Sequence, residues 1–477
     1  MKKITLLALL LIHFLSAFGQ NNTYDYTDAN ALIDIWLRSQ KDYEDIPAIM
    51  GVAVKDQEVI WSGAFGESNV EAGNLADTNT ICNIGSVSKV FTATAIMKLV
   101  SEGQISLEEQ IKDILPNYKL RQAFPDSGYV TIKSLLTHSS GVPRDTEHSY
   151  WSGPDHPFPS RVDFLDHLSD LETSFPIDSD VQYSNLGYAL LGLVIEEVSG
   201  LTYKEYIESN IFHPLGMNDS FVEIPESLYG KKHAIGYTAL NRDRVRYPAS
   251  LFQTKALQPA AGISSTVSDL AKFAAWQFRL LKTEKKEILT PEILKSMYQI
   301  QASGKNGFNK RGYGYQVFND KEGNSWAMHG GICPGFVAFL KMDVSNKKAY
   351  VILVNANGVK ALRYVNGIID ILNKVEPNQI GEKKHPDFSD YKGYYDLSPW
   401  NSEYYIGPWN DGLVALYLPT ESLEYSMYFY KHKEGAVFQL LNEQNEPTGE
   451  ELIFYQNDKG IINKVKNDGN YHFRKKY

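Results

Sequence analysis

Strand-like alternation stands at both ends of a long helical stretch, and this limits the fold more than any other feature of the chain. Ala48 to Val54 and Glu58 to Phe65 alternate as a hairpin around Lys55-Asp56-Gln57, behind an amphipathic helix from Asp28 to roughly Asp45. From Ser86 to about Leu281 the pattern is mostly helical, interrupted by loops rich in Pro, Asp and Ser. Strands return at Tyr313 to Phe318, Ser325 to Gly330, Gly335 to Lys341 and Ala349 to Val354, and a last helix runs from about Leu362 to Val375. A single sheet built from both termini, with a helical lobe beside it, satisfies this order. The fold class is therefore α+β, and the boundary between lobes is where a ligand is expected.

Three short stretches carry chemistry. The first is Asn83-Ile84-Gly85-Ser86-Val87-Ser88-Lys89, which opens an apolar helix that Gly103 can stop. Ser86 and Lys89 share one face of its first turn. A serine hydroxyl is a poor nucleophile until a neighbouring base takes its proton, and a lysine one turn on is within reach. The serine's own N–H, an orphan of the helix start, is free to hold an oxyanion. The second stretch, Tyr183-Ser184-Asn185, precedes a helix from Leu186 to Val198 that Gly200 closes; read as extended chain, it points a phenol and an amide the same way. The third is Trp326-Ala327-Met328-His329-Gly330-Gly331, a strand-like run whose glycines allow a substrate backbone to approach.

In this order, Ser-x-x-Lys, Tyr-x-Asn and His-x-Gly resemble the penicillin-recognising serine hydrolases: class C β-lactamases, related esterases, D-aminopeptidases and DD-peptidases. Leu136-Thr137-His138-Ser139-Ser140-Gly141-Val142-Pro143, Pro259-Ala260-Ala261-Gly262 and Tyr313-Gly314-Tyr315 also fit the family's habits, and the resemblance covers roughly residues 30 to 375. It implies a β-lactamase/transpeptidase-like sheet with flanking helices. It also implies acyl transfer with Ser86, Lys89 and Tyr183 as catalytic groups and Asn185, His329, Gly330 and Gly331 as substrate-binding ones. The oxyanion would lie between the N–H groups of Ser86 and Ile332. Whether Lys89 or Tyr183 is the true base stays open. His329 stands where lysine is usual. A largely neutral imidazole weakens carboxylate recognition and favours esters, amides or D-amino-acid peptides. A β-lactamase or D-alanyl-D-alanine carboxypeptidase is the alternative, and a non-turnover penicillin-binding sensor is the reading from another class.

Other templates fail. Ile84 and Ser88 occupy the glycine places of Gly-x-Ser-x-Gly, and no His-Glu-x-x-His, P-loop or dinucleotide fingerprint occurs. His148 and His156, in the loop from Gly141 to Asp163, match no metal-ligand spacing, and His138 suits a turn-stabilising role. Asp269 reads as the N3 carboxylate of a capping box begun by Thr266. No cofactor or metal is expected.

The chain of 477 residues exceeds one core, so more than one folding unit is expected. Residues 377–390 read as a linker between a hydrolase domain over 20–376 and a C-terminal domain over 391–477. The latter holds 12 of the 30 tyrosines in about eight alternating segments, with turn signals at Asn410-Asp411-Gly412, Asn457-Asp458-Lys459-Gly460 and Asn467-Asp468-Gly469. This reads as a small all-β barrel, lipocalin-like in outline, its tyrosines packing the interior. Residues 1–19, a charged start and a short apolar run ending Ala17-Phe18-Gly19, read as a secretory signal peptide. A secreted, periplasmic protein without a stable membrane anchor follows. Its removal takes Lys2 and Lys3 and the formal charge from -10 to -12, against nucleic-acid binding. The partner expected is a small-molecule or peptide substrate, with self-association through the barrel left open. Cys82 and Cys333, the only two cysteines, read as unpaired buried thiols.

Overall fold

The computed structural model describes residues 23–116, 118–146, 150–153, 155–375, 377–378 and 386–476. The expected signal peptide, His148 and positions 379–385 of the expected linker lie outside the described residues. The chain divides into two compact units, Trp36–Ile369 and Met1–Ile35 with Asp370–Tyr477.

In the larger unit, helix α1 (Thr27–Tyr43, which begins before the division) leads to the hairpin β1 (Ala48–Lys55) and β2 (Glu58–Asn69). Its turn is Asp56-Gln57, and Asp56 takes a left-handed φ of 60°. The helical lobe follows, with α2 (Ser88–Ser101), α3 (Asn185–Ser199), the short α4 (Gln258–Ala261) and α5 (Val267–Leu281). The chain then returns to the sheet through β3 (Gln316–Asn319), β4 (Ser325–Cys333), β5 (Phe336–Asp343) and β6 (Lys348–Val354), and enters α6 (Ala361–Leu372), which runs past the division at Ile369. The nine-stranded antiparallel sheet runs Asn74–Leu75, β2, β1, β6, β5, β4, β3, Lys310–Arg311, Ala302–Ser303. The N-terminal strand β1 pairs along its length with the late strand β6, Val52 opposite Val351. β1 and β6 are buried on both faces, as central strands must be when helices cover the sheet.

One apolar core joins the sheet to the lobe. α2 lies at its centre, buried from Ser88 to Met97, with Phe91 against Phe273 of α5 at 4.4 Å between ring centroids. α4 sits against α3 where Gly192 leaves room for Pro259; a Cβ on Gly192 would lie 2.1 Å from the proline ring.

The smaller unit carries an eight-stranded antiparallel barrel: β7 (Gly393–Asp396), β8 (Glu403–Trp409), β9 (Gly412–Leu418), β10 (Met427–Glu434), β11 (Val437–Leu441), β12 (Pro447–Gln456), β13 (Ile462–Asn467) and β14 (Asn470–Phe473). A bridge between Tyr395 and Arg474 nearly closes it. The expected turns are present, and Asp468-Gly469 has both residues at positive φ, as a two-residue hairpin demands. The interior is packed with side chains, including Tyr395, Tyr404, Phe438 and Phe454. Among the described residues no helix is long and apolar enough to cross a membrane.

Candidate active site

Ser86 lies in a single 3-10 turn, Gly85–Val87, that runs straight into α2. The turn is pinned from below: Ser88 Oγ donates to the Gly85 carbonyl (2.6 Å) and accepts from Ile263 N–H (3.0 Å). Gly85 takes φ +50° and faces the backbone of Ile332, so no side chain fits there without strain. Ser86 remains partly exposed among buried neighbours.

Lys89 is completely buried. Its Nζ donates to Asn185 Oδ1 (2.7 Å) and to the Ala260 carbonyl (2.7 Å), and stands 3.4 Å from Ser86 Oγ. Burial holds this amine well below the usual lysine range; Asp145 opposes the shift, while Arg144 and Arg311 add to it.

Tyr183 and Asn185 are held by His138. That residue has a left-handed φ of 61°, accepts Ser184 N–H on Nδ1 (3.1 Å) and accepts Gln182 N–H on its carbonyl (2.9 Å), gripping the backbone on both sides of Tyr183. Burial keeps the His138 imidazole well below its ordinary pKa, so it acts here as a neutral acceptor. Ser184 caps α3 by accepting Gly187 N–H, which makes Asn185 the first helical residue and not the end of an extended tripeptide. Asn185 Oδ1 meets Lys89, and its Nδ2 meets Asp145. The Tyr183 phenol shares a hydrogen bond with Ser86, and burial pushes it up to about 12.

The third stretch closes the site. β4 continues past the glycines to Cys333 because Pro334-Gly335 makes a tight turn into β5, with Gly335 at φ 81°. In that hairpin the ladder bonds alternate, so Ile332 N–H points away from β5. Gly331 is where the strand meets the turn that carries Ser86: a Cβ there would lie 1.9 Å from the Ile84 carbonyl and 3.1 Å from Ser86 N. What approaches this glycine is the chain's own turn. The Ser86 and Ile332 amides are thereby brought to one place. His329 is buried, its Nδ1 2.8 Å from the Gly330 carbonyl. A carbonyl can only accept, so Nδ1 carries the proton and Nε2 is left as an acceptor. Burial, with Lys89 and Arg311 nearby, lowers its pKa to about 3.

Three residues here escaped the sequence reading. Arg311 and Arg144 bring guanidinium carbons to 5.8 and 5.1 Å from the Tyr183 ring centroid, and Asp145 anchors Asn185. Arg311 lies two residues before the noted Tyr313-Gly314-Tyr315, whose Gly314 presses on Ala93 of α2. Asp269 does not complete a capping box: Thr266 accepts its N–H, but its carboxylate turns to Asp219 N–H, Ser220 and Lys272. Cys82 and Cys333 are free and buried. Among the described residues no group of His, Cys, Asp and Glu could hold a metal ion.

A family model described as Beta-lactamase matches residues 37–371. A penicillin-binding protein of Bacillus subtilis (strain 168) is 27% identical over 320 residues, 64% of this chain and 67% of that protein. Protein flp of Staphylococcus aureus (strain NCTC 8325 / PS 47) is 26% identical over 352 residues, 72% of this chain and 66% of its own length. The chain thus spans about two thirds of these curated relatives. The solved octameric penicillin-binding protein homologue from Pyrococcus abyssi shares the fold at 24% identity and a TM-score of 0.63, over 94% of this chain and 100% of that one. A penicillin binding protein from Bacillus halodurans aligns at 25% identity and a TM-score of 0.59, over 70% of this chain and 98% of its own.

Proposed function

The chain belongs to the beta-lactamase family, whose chemistry is that of serine hydrolases working through an acyl-enzyme, and from that premise we propose that it hydrolyses an ester or amide with Ser86 as nucleophile. The observation that carries this reading is the environment of Lys89 Nζ. A neutral amine has two N–H donors and one lone pair. Both donors have carbonyl acceptors at 2.7 Å, Asn185 Oδ1 and Ala260 O, and the remaining direction leads to Ser86 Oγ.

In this reading Ser86 Oγ attacks the substrate carbonyl as its proton passes to Lys89. The Ser86 and Ile332 N–H groups receive the developing oxyanion. Tyr183, a protonated phenol at neutral pH, gives its proton to the leaving group and regains one from Lys89. A water then attacks the acyl-enzyme, its proton drawn off through the same Lys89–Tyr183 unit, and Ser86 is released. The lowered Lys89 and raised Tyr183 favour the lysine as the resting base. Asn185 orients Lys89, and its second Nδ2–H can meet a substrate carbonyl.

Neutral His329 supports uncharged esters, aminoacyl amides or D-peptides as substrates. A second reading has its own support. Arg311 and Arg144 supply fixed positive charge beside Tyr183, which would suit the carboxylate of a penicillin or of a terminal D-alanine. The charged and apolar start of the chain supports secretion, and the filled barrel supports a domain without chemistry of its own. Fluorophosphonate should label the wild type and leave Ser86→Ala unlabelled; equal labelling at another serine would sink the assignment. A panel of esters, D- and L-aminoacyl amides and a chromogenic cephalosporin then separates the two substrate readings. A stable β-lactam adduct without turnover on any of them would point to a sensor.

A further inference from the structure

One carboxylate beside this site has no part in the reaction as proposed. Asp145, in the loop after Gly141, has a side chain only 18% exposed. It accepts from Asn185 Nδ2 (2.9 and 3.2 Å to its two oxygens), from the Tyr150 hydroxyl (2.8 Å) and from Trp151 Nε1 (3.3 Å), and pairs with Arg144 Nε at 3.3 Å.

An ionised carboxylate only accepts hydrogen bonds, and an amide has one accepting and one donating end. With Asp145 in place, Asn185 must turn its NH₂ to the carboxylate and its carbonyl to Lys89. The flipped amide would set oxygen against carboxylate, a repulsive contact at hydrogen-bond distance, and would leave one Lys89 N–H without its acceptor. We infer that Asp145 is a positioning residue: it holds Asn185 in the one orientation that gives Lys89 an acceptor, and so ties the aromatic loop of Tyr150 and Trp151 to the base of the reaction. This inference rests on Lys89 being that base.

A second consequence is electrostatic. Among the described residues, the groups that face Lys89 are Ser86, Asn185, the Ala260 carbonyl, Tyr183, Tyr188, His138, His329, Arg144, Arg311 and Asp145. Asp145 is the one carboxylate among these described groups. It favours the charged amine against burial and two guanidinium groups, so its removal must lower the pH at which Lys89 becomes neutral.

The test uses the full chain. Asp145→Asn keeps an oxygen for Asn185 and removes the charge, Asp145→Ala removes both, and Asp145→Glu restores the charge. The Lys89 ¹⁵Nζ signal, assigned by its loss in Lys89→Met, should titrate in Asp145→Asn at least about half a pH unit lower than in wild type. The rate of fluorophosphonate labelling at Ser86, followed against pH, should move its acid limb down by the same amount. Its plateau should fall on the order of tenfold or more in Asp145→Ala and recover in part in Asp145→Glu. An unchanged or raised Lys89 titration in Asp145→Asn overturns the inference, as does a plateau in Asp145→Ala within about twofold of wild type. If Asp145→Ala does not fold, the titration of Asp145→Asn decides. Failure of the wild type to label at Ser86 would count against the proposed reaction only, since the Nζ titration reads Asp145 independently of it.

Discussion

Around Ser86 Oγ stand a buried amine with carbonyl acceptors at Asn185 and Ala260 and a phenol that burial pushes up to about 12, and in the proposed mechanism neither completes the reaction alone. Lys89→Ala and Tyr183→Phe should each lower kcat/KM on the order of a thousandfold or more, and the double variant should be little worse than either. Clean multiplication of the two losses, measured on one ester substrate, would separate their roles. Ser86, Lys89 and Tyr183 were legible as a set because chemistry restricts the residue types and helical spacing joins the first two. Asp145 and Arg311 were not, since each reaches the site only through tertiary folding; the Asn185–Asp145 contact spans 40 residues, and nothing local marks it. His329 shows the same limit. Its type, place and largely neutral form could be read from the chain, whereas the burial beside Lys89 and Arg311 that lowers its pKa to about 3 could not.

At the scale of elements, the turn and the strand meet backbone to backbone at Gly331. Gly331→Ala would force β4 away from Ile84 and separate the two amides proposed to hold the oxyanion, so kcat should fall on the order of a hundredfold. Gly330→Ala is the control. Its Cβ meets only the Phe339 ring, at 3.0 Å, and that ring can give, so its loss should be under about tenfold. Equal losses in the two variants, with matched thermal midpoints, would contradict this account. The helix from Leu186 to Val198 was foreseen to within a residue at each end, because Ser184 and Gly200 are strong local signals. β4 was read three residues short, because glycines weaken a strand while the ladder with β5 and its tight turn carry the pairing onward. β3 begins later than expected, at Gln316, since Gly314 at φ 82° bends the chain against α2.

For the molecule as a whole, burial of neutral imidazoles sets an acid limit on stability. His138, His233 and His329 all have folded-state pKa values below the ordinary histidine value, His233 at about 4 and His329 at about 3. Below pH 6.5 the unfolded chain takes up protons that these folded sites refuse. Their contribution is full above that pH and is lost as the pH falls through the folded values. For His233 alone the loss by pH 4 is about 3 kcal/mol. Urea midpoints should therefore fall between pH 6.5 and 4, and His233→Gln, which can still donate to Asn83 Oδ1, should flatten that dependence; an equal slope in both proteins would refute it. The sheet shared by distant segments was readable from the order of strands and helices. The packed barrel interior was expected from its tyrosines, though the pairing of individual rings was not. The pairing of β1 with β6 also has a consequence in time. At synthesis rates of about 5–20 residues per second, β1 leaves the ribosome roughly 15–60 s before its partner exists. Ser86 likewise emerges well before the strand that carries His329 and Ile332. On the proposed mechanism the half-made chain therefore lacks one of its two oxyanion donors, and Ser86 would gain full reactivity only when the last strands of the sheet arrive.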